Sequence, residues 1–195
     1  LAWTQNLTFG IKTSAVSAKF EQDAFSNTNV SAKKQSFITL GFTASQRLMK
    51  SLWLHEELNV HKASFGVSQR IFSFTSGAFT SSTIGTETLV NSTVWTFPIY
   101  IEWRTDKNVG FEFGTEYNRY TGFIGEQGVS SSFFFGNISN ANWFLGCRYT
   151  FPKNMAIDLR YTRSLDEFNF FEKKWGLEVS FNAFLTNENF KERLY

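Results

Sequence analysis

Val94-Trp95-Thr96-Phe97-Pro98-Ile99-Tyr100-Ile101-Glu102-Trp103-Arg104 is the stretch whose pattern decides the fold class. Trp95, Phe97, Ile99, Ile101 and Trp103 occupy odd positions, while Thr96, Tyr100, Glu102 and Arg104 occupy even ones. Successive side chains of a β-strand point to opposite faces, so this period of two predicts a strand with one apolar and one polar face. Pro98 has no N–H to give to a ladder, and a bulge is expected to accommodate it.

The rhythm recurs along the chain. Leu7, Phe9 and Ile11 alternate with Thr8, Gly10 and Lys12, and Ile38, Leu40 and Phe42 with Thr39, Gly41 and Thr43. Leu58 and Val60 alternate with Glu57, Asn59 and His61, and Phe111 and Phe113 with Gly110, Glu112, Gly114 and Glu116. The run from Trp143 to Phe151, the run from Met155 to Thr162 and the run from Trp175 to Asn182 repeat it. Eight strands are predicted, at about 5–19, 36–46, 52–62, 93–104, 108–120, 142–151, 154–163 and 173–184, followed by a tail at 185–195. No amphipathic helix interrupts them, so residues 1–195 read as one all-β domain.

The connections differ in length. Gln46 to Ser51, Thr105 to Asn108 and Pro152 to Asn154 are tight polar turns. Phe20 to Gln35, Ala63 to Thr93, Tyr120 to Asn142 and Arg163 to Lys173 are long links, and long and short alternate strictly. An antiparallel up-and-down transmembrane barrel, with short turns at one end and long loops at the other, has this asymmetry. A soluble sandwich has no physical reason for it.

Composition narrows the classes. The 195 residues are 42% apolar and 18% charged, with 24 Phe, 6 Trp and 6 Tyr, too rich in rings for a disordered chain. One cysteine, Cys147, excludes an internal disulfide framework, and a net charge of +2 is too mild for nucleic-acid binding. No segment is long and apolar enough for a membrane helix, and Leu1 to Gln5 carries no complete signal peptide, as in a processed exported chain.

Rings bound the apolar face, with aliphatics between them. Eight strand steps of about 3.3 Å, tilted by about 40°, rise roughly 20 Å, close to the apolar band between two aromatic girdles. Trp95, Trp103, Trp143, Tyr149, Phe151, Tyr161 and Trp175 are the expected girdle. The polar face carries Lys12, Arg104, Arg148, Arg160 and Lys174 against Glu57, Glu102, Glu112, Glu116, Asp158 and Glu178. Inside a narrow barrel such charges must pair, which predicts a salt-bridged interior with no open pore. Gly10, Gly41, Gly110 and Gly114 share this crowded face, whereas Glu56 falls on the lipid face, where an interfacial site or local bulge would accommodate it.

Leu7 to Lys12, Glu57-Leu58-Asn59, Phe97 to Tyr100 and Asp158 to Leu165 resemble segments of the small outer-membrane β-barrel family of the Bacteroidota that includes PorT-like proteins. The resemblance implies an eight-stranded barrel in the bacterial outer membrane with periplasmic termini, and no catalytic residues. It associates the chain with secretion or barrel-assembly machinery. Lys174 to Phe181 also resembles a final-strand assembly signal, but Asn182 to Tyr195 follow it.

No catalytic constellation emerges. His55 and His61 share a strand face but stand roughly 20 Å apart at about 3.3 Å per residue, too far for one metal. Glu57 and His61 form only a weak hint of a lipid hydrolase, without a placed nucleophile. Glu112 and Glu116 are about 13 Å apart, too far for the roughly 5 Å of a retaining glycosidase pair. No cofactor or metal site is predicted. The expected partners are outer-membrane lipid and other proteins, the latter through rings in the long links: Phe72, Phe74, Phe79, Phe133, Phe134 and Phe135. The leading expectation is a non-catalytic barrel subunit of an envelope complex. The alternatives are a lipid-modifying enzyme and a narrow porin.

Overall fold

The computed structural model describes residues 7–21, 28–31, 35–75, 78–84, 88–105, 108–125, 138–152, 154–165 and 172–185, with side chains for part of them. The described residues contain ten strands and no helix: β1 (Leu7–Glu21), β2 (Thr28–Ser31), β3 (Gln35–Met49), β4 (Leu52–Thr75), β5 (Ala78–Ile84), β6 (Thr88–Arg104), β7 (Val109–Gly125), β8 (Ile138–Phe151), β9 (Met155–Ser164) and β10 (Glu172–Phe184).

Eight of them close a barrel in the order β1-β3-β4-β6-β7-β8-β9-β10, with β10 returning to β1. Every neighbour is antiparallel and follows its predecessor around the wall, so no backbone edge is left along the cylinder. The short-turn end carries the turn at Lys50-Ser51, Asn154 in the left-handed conformation (φ 56°) and both ends of the barrel chain, where Leu185 N–H donates to the Phe9 carbonyl. An asparagine tolerates that backbone region better than most residues.

Two expectations are corrected. The links at 20–35 and 63–93 contain strands: β4 runs on to Thr75, where it pairs with β5, and β2 pairs with Gly66 to Gln69. Pro98 makes no bulge. The β4–β6 register is the same on either side of it (Glu56↔Ile99, Asn59↔Thr96), and the β6–β7 register passes straight through (Pro98↔Glu116). Each strand residue directs its N–H to one neighbour only. The missing donor is therefore confined to the rungs opposite Glu57 and Leu58, and Pro98 needs no inserted residue.

The outer face of the barrel wall is mostly apolar and the inner face mostly polar. Leu40, Phe42, Phe113, Leu145, Leu159 and Val179 are exposed, whereas Lys12, Glu102, Asn142, Asp158 and Asn182 are 0% exposed. The sequence-predicted girdle residues all lie at outward positions. Trp95, Trp143, Tyr161 and Trp175 stand toward the long-link end, and Trp103, Tyr149 and Phe151 toward the short turns. Glu56 is exposed on this same outer face, and no bulge turns it inward.

Candidate functional site

Period two sends a long ionic or aromatic side chain from almost every barrel strand into the lumen, and closure of the wall brings them together. Arg160 on β9 bonds Glu57 on β4 through two contacts, at 2.9 and 3.2 Å. These strands are four places apart in either direction around an eight-strand ring, so the pair spans the lumen from wall to wall. The Nε of Arg160 also donates to Glu112 on β7 at 2.6 Å. Lys12 on β1 bonds Glu57 at 2.8 Å and Glu178 on β10 at 2.7 Å.

Arg148 on β8 is the second hub. It grips Asp158 with Nε at 2.6 Å and a second nitrogen at 2.9 Å, the bidentate fork that makes arginine a strong carboxylate partner. Glu102 and Glu112 face each other directly across β6 and β7, a repulsive register. Arg148 lies between them, 3.3 Å from Glu102 and 3.1 Å from Glu112. Ser180 and Asn182 complete Asp158 at 3.0 and 2.7 Å. Both oxygens of Glu57, Glu102, Glu112 and Asp158 are engaged, which is what tolerates so many charges out of water.

Tyr100 sits in the middle of this network. Its hydroxyl donates to Glu57 at 2.7 Å and accepts from Arg148 at 2.8 Å, and the Arg160 guanidinium lies 4.4 Å from its ring centre. The ring has room because Gly114 is its cross-strand partner; a Cβ there would strike the Tyr100 Cβ. Gly146 gives the same clearance to Arg160, whose Cγ would lie 2.8 Å from an added Cβ.

Toward the short turns, the His55 ring stacks on Tyr100 at 4.7 Å. Its Nε2 lies 2.7 Å from Glu102, and its Nδ1 lies 2.8 Å from Ser45 Oγ. Arg148 adds a nitrogen 3.2 Å from the same Nδ1. All these groups are buried, and Trp53, with the Arg104 guanidinium 4.3 Å above its ring, lies beneath them. Toward the long links, Asn142 and Asn118 donate to Glu116 at 2.7 and 3.4 Å, beside a cavity of about 30 Å³, the size of about two water molecules. Among the described residues no group of three or more His, Cys, Asp or Glu side chains could hold a metal ion.

The architecture matches solved structures. Ail, the attachment invasion locus protein of Yersinia pestis, crystallised with the heparin analogue sucrose octasulfate, superposes with a TM-score of 0.52 at 10% identity, covering 91% of this chain and 97% of that one. Neisserial surface protein A superposes with a TM-score of 0.51 at 14% identity, covering 90% and 96%. The fold is that of a small outer-membrane β-barrel. No family model matches the chain, and no curated protein is significantly similar in sequence.

The barrel brings together Lys12, Glu57, Glu102, Glu112, Arg148, Asp158, Arg160 and Glu178 as one connected set. Arg104 is half-buried at the short-turn mouth, bonded to Glu102 at 2.6 Å. Glu116 is inside the barrel but bonds to the asparagines of the upper layer. Lys174 lies on β10, and its side chain is outside the described ones. Phe72, Phe74 and Phe79 lie on the backbone of β4 and β5, again without described side chains, and Phe133, Phe134, Phe135 and the tail beyond Leu185 fall outside the described residues.

His55, Tyr100, Trp53 and Ser45 are members of the barrel's interior that sequence reasoning did not place in the network. Parity with Glu57 would have identified His55 and Trp53, and parity with Glu102 would have identified Tyr100. Glu57 and His61 do not meet as a catalytic pair: Glu57 is taken by Lys12, Arg160 and Tyr100, and the His61 ring stacks on Phe37 at 4.0 Å.

Proposed function

We propose that the chain is a non-catalytic barrel of a bacterial outer membrane, with its short turns and termini on the periplasmic side, serving as a structural or accessory subunit of an envelope complex. The single observation that carries this reading is the Arg160–Glu57 pair spanning the lumen, with every ionic group around it already bonded. An interior bonded in this way supports a role carried by the outside of the molecule. The resemblance to PorT-like barrels of the Bacteroidota favours secretion or barrel-assembly machinery as the class of complex.

The part best placed to meet a protein partner is the β4–β5 hairpin. The last β4–β6 rung is Val67↔Thr88, and from Arg70 onward β4 pairs with β5. Val60 is level with the girdle residue Trp95, and Phe72 follows twelve residues later. At about 3.3 Å per residue and a tilt of about 40°, that is roughly 30 Å above the girdle, well beyond lipid headgroups. Lys62, Ser64, Gly66, Ser68 and Arg70 fill the same parity between them, so the apolar band ends before the phenylalanine positions begin. Phe74 and Phe79 are cross-strand partners, and Phe72 shares their parity.

The test is native gel electrophoresis of mildly solubilised membranes. The wild-type chain is expected in a large assembly, and Phe72→Ser/Phe74→Ser/Phe79→Ser as a lone folded barrel. Identical migration of the two would count against the hairpin contact. Wild-type migration as a single barrel would count against the subunit reading itself.

A further inference from the structure

We propose that the outer wall around Glu56 docks a second membrane-spanning protein, which presents a lysine or arginine side chain to the Glu56 carboxylate at mid-depth. The inference rests on the membrane-embedded subunit reading and deepens it by assigning the face and the chemistry of the contact.

Glu56 is exposed on the outer face, with neither a bulge nor an interfacial depth to accommodate it. The register to β3 runs evenly through it, as Thr43↔Glu57, Ala44↔Glu56 and Ser45↔His55. Leu52 and Val60, four residues away on either side, are the cross-strand partners of the girdle residues Trp103 and Trp95. At about 3.3 Å per residue and a tilt of about 40°, Glu56 stands roughly 10 Å from either girdle. Lysine and arginine reach toward water along long stems; the two methylenes of a glutamate cannot cross that distance.

Among the described residues Glu56 makes no hydrogen bond or ion pair, and it is the one charged outward side chain between the two girdle levels. Acyl chains offer a carboxylate no donor, and a charge at this depth is tolerated when another protein group pairs with it.

The surroundings of Glu56 form a seat for such a group. Ala44, its direct partner on β3, is small, while Phe9, the next residue across on β1, and Phe42 along β3 are large and exposed. A notch therefore lies beside the carboxylate. Gln46, outward and one rung below Ala44, adds an amide to the same patch, and Ile99 borders it on β6. The patch thus combines one anion and one amide with an apolar frame, which complements an apolar surface carrying a cation. It also lies on β4, the strand that continues upward into the β4–β5 hairpin, so one partner lying along β4 meets both.

A second copy of the chain does not supply the cation. The outward cations described on the strands stand at or beyond the tryptophan level: Arg119 pairs with Trp95, Arg163 with Trp143 and Lys19 with Trp175, and Lys62 lies two residues past Val60. At mid-depth a copy brings only the neutral Gln46, and two-fold symmetry sets two carboxylates near one axis.

The test is labelling with the lipid-soluble reagent dicyclohexylcarbodiimide, which adds to a carboxyl group and leaves an acylurea there unless a neighbouring amine displaces it to form an amide. The purified full chain in phosphatidylcholine vesicles is expected to carry the acylurea on Glu56, read by mass spectrometry. In native membranes that labelling should be lost, with an amide to a lysine peptide of another protein where the partner's cation is lysine. Ala44→Phe, which fills the notch, should restore labelling in native membranes. Ala44→Phe and Glu56→Lys should both migrate on native gels as lone folded barrels. Equal labelling of the wild type in vesicles and native membranes overturns the docking face, as does an assembly that survives both substitutions. An amide to a peptide of a second copy of this chain overturns the foreign partner. If only a water-soluble carbodiimide labels Glu56 in vesicles, the membrane reading falls; if neither reagent does, the chain covers its own carboxyl and the contact falls. A wild type that migrates as a single barrel overturns the subunit reading, and the inference with it.

Discussion

Arg160 has Glu178 as its direct cross-strand neighbour, yet its guanidinium bonds Glu57 and Glu112, and Glu178 goes to Lys12. Removing one member of such a buried set strands its partners. Arg160→Gln is therefore expected to cost about 3–5 kcal/mol in denaturant titrations of the lipid-reconstituted barrel. Tyr100→Phe deletes one donor and one acceptor while keeping the ring, and about 1–3 kcal/mol is expected by the same titration. A loss below about 0.5 kcal/mol in both would mean that water replaces these bonds inside the lumen. Parity along each strand was enough to place Lys12, Glu57, Arg148 and Asp158 inside. It could not pair them, because the partners lie on strands tens of residues away in sequence and meet only across a closed wall.

At the scale of elements, β4 shows where alternation stops being a guide to strand length. Up to Val60 its outward positions are mostly apolar; beyond, Lys62 and Ser64 take them, while Ala63 is buried on the inner side. The ladder to β6 nevertheless continues to Val67. Hydrophobic pattern reports the solvent outside the wall, and hydrogen bonding does not need a greasy face. The sequence-predicted strand end at 62 therefore coincides with the end of the apolar band and not with the end of the strand. Among the described residues the β4–β5 extension pairs with no other barrel strand, so deleting 70–84 with a short glycine linker should leave the barrel folded, read as an unchanged heat-induced shift on gels. At Pro98 the uninterrupted register predicts that Pro98→Val adds one slowly exchanging amide in hydrogen-exchange measurements and leaves the interior unchanged.

For the whole molecule, orientation of the two faces governs everything else. Leu159 lies outward between the girdle levels and is 50% exposed. Leu159→Arg should destabilise the barrel by about 2–4 kcal/mol in a bilayer, against much less in a water-facing site. Planar-bilayer recordings of the wild type should show no steady conductance, because the ionic groups are bound to one another across the lumen; a regular open level would contradict the sealed interior. The eight strands of the barrel wall, the prevailing polarity of each face and the placement of long links at one end were readable in the order of residues, since each follows from local period and turn chemistry. Which charges bond, how Pro98 is carried without a bulge, and how β2 and β5 extend the wall were settled by closure. Those features depend on distances between strands far apart in the chain, and no local pattern encodes such distances.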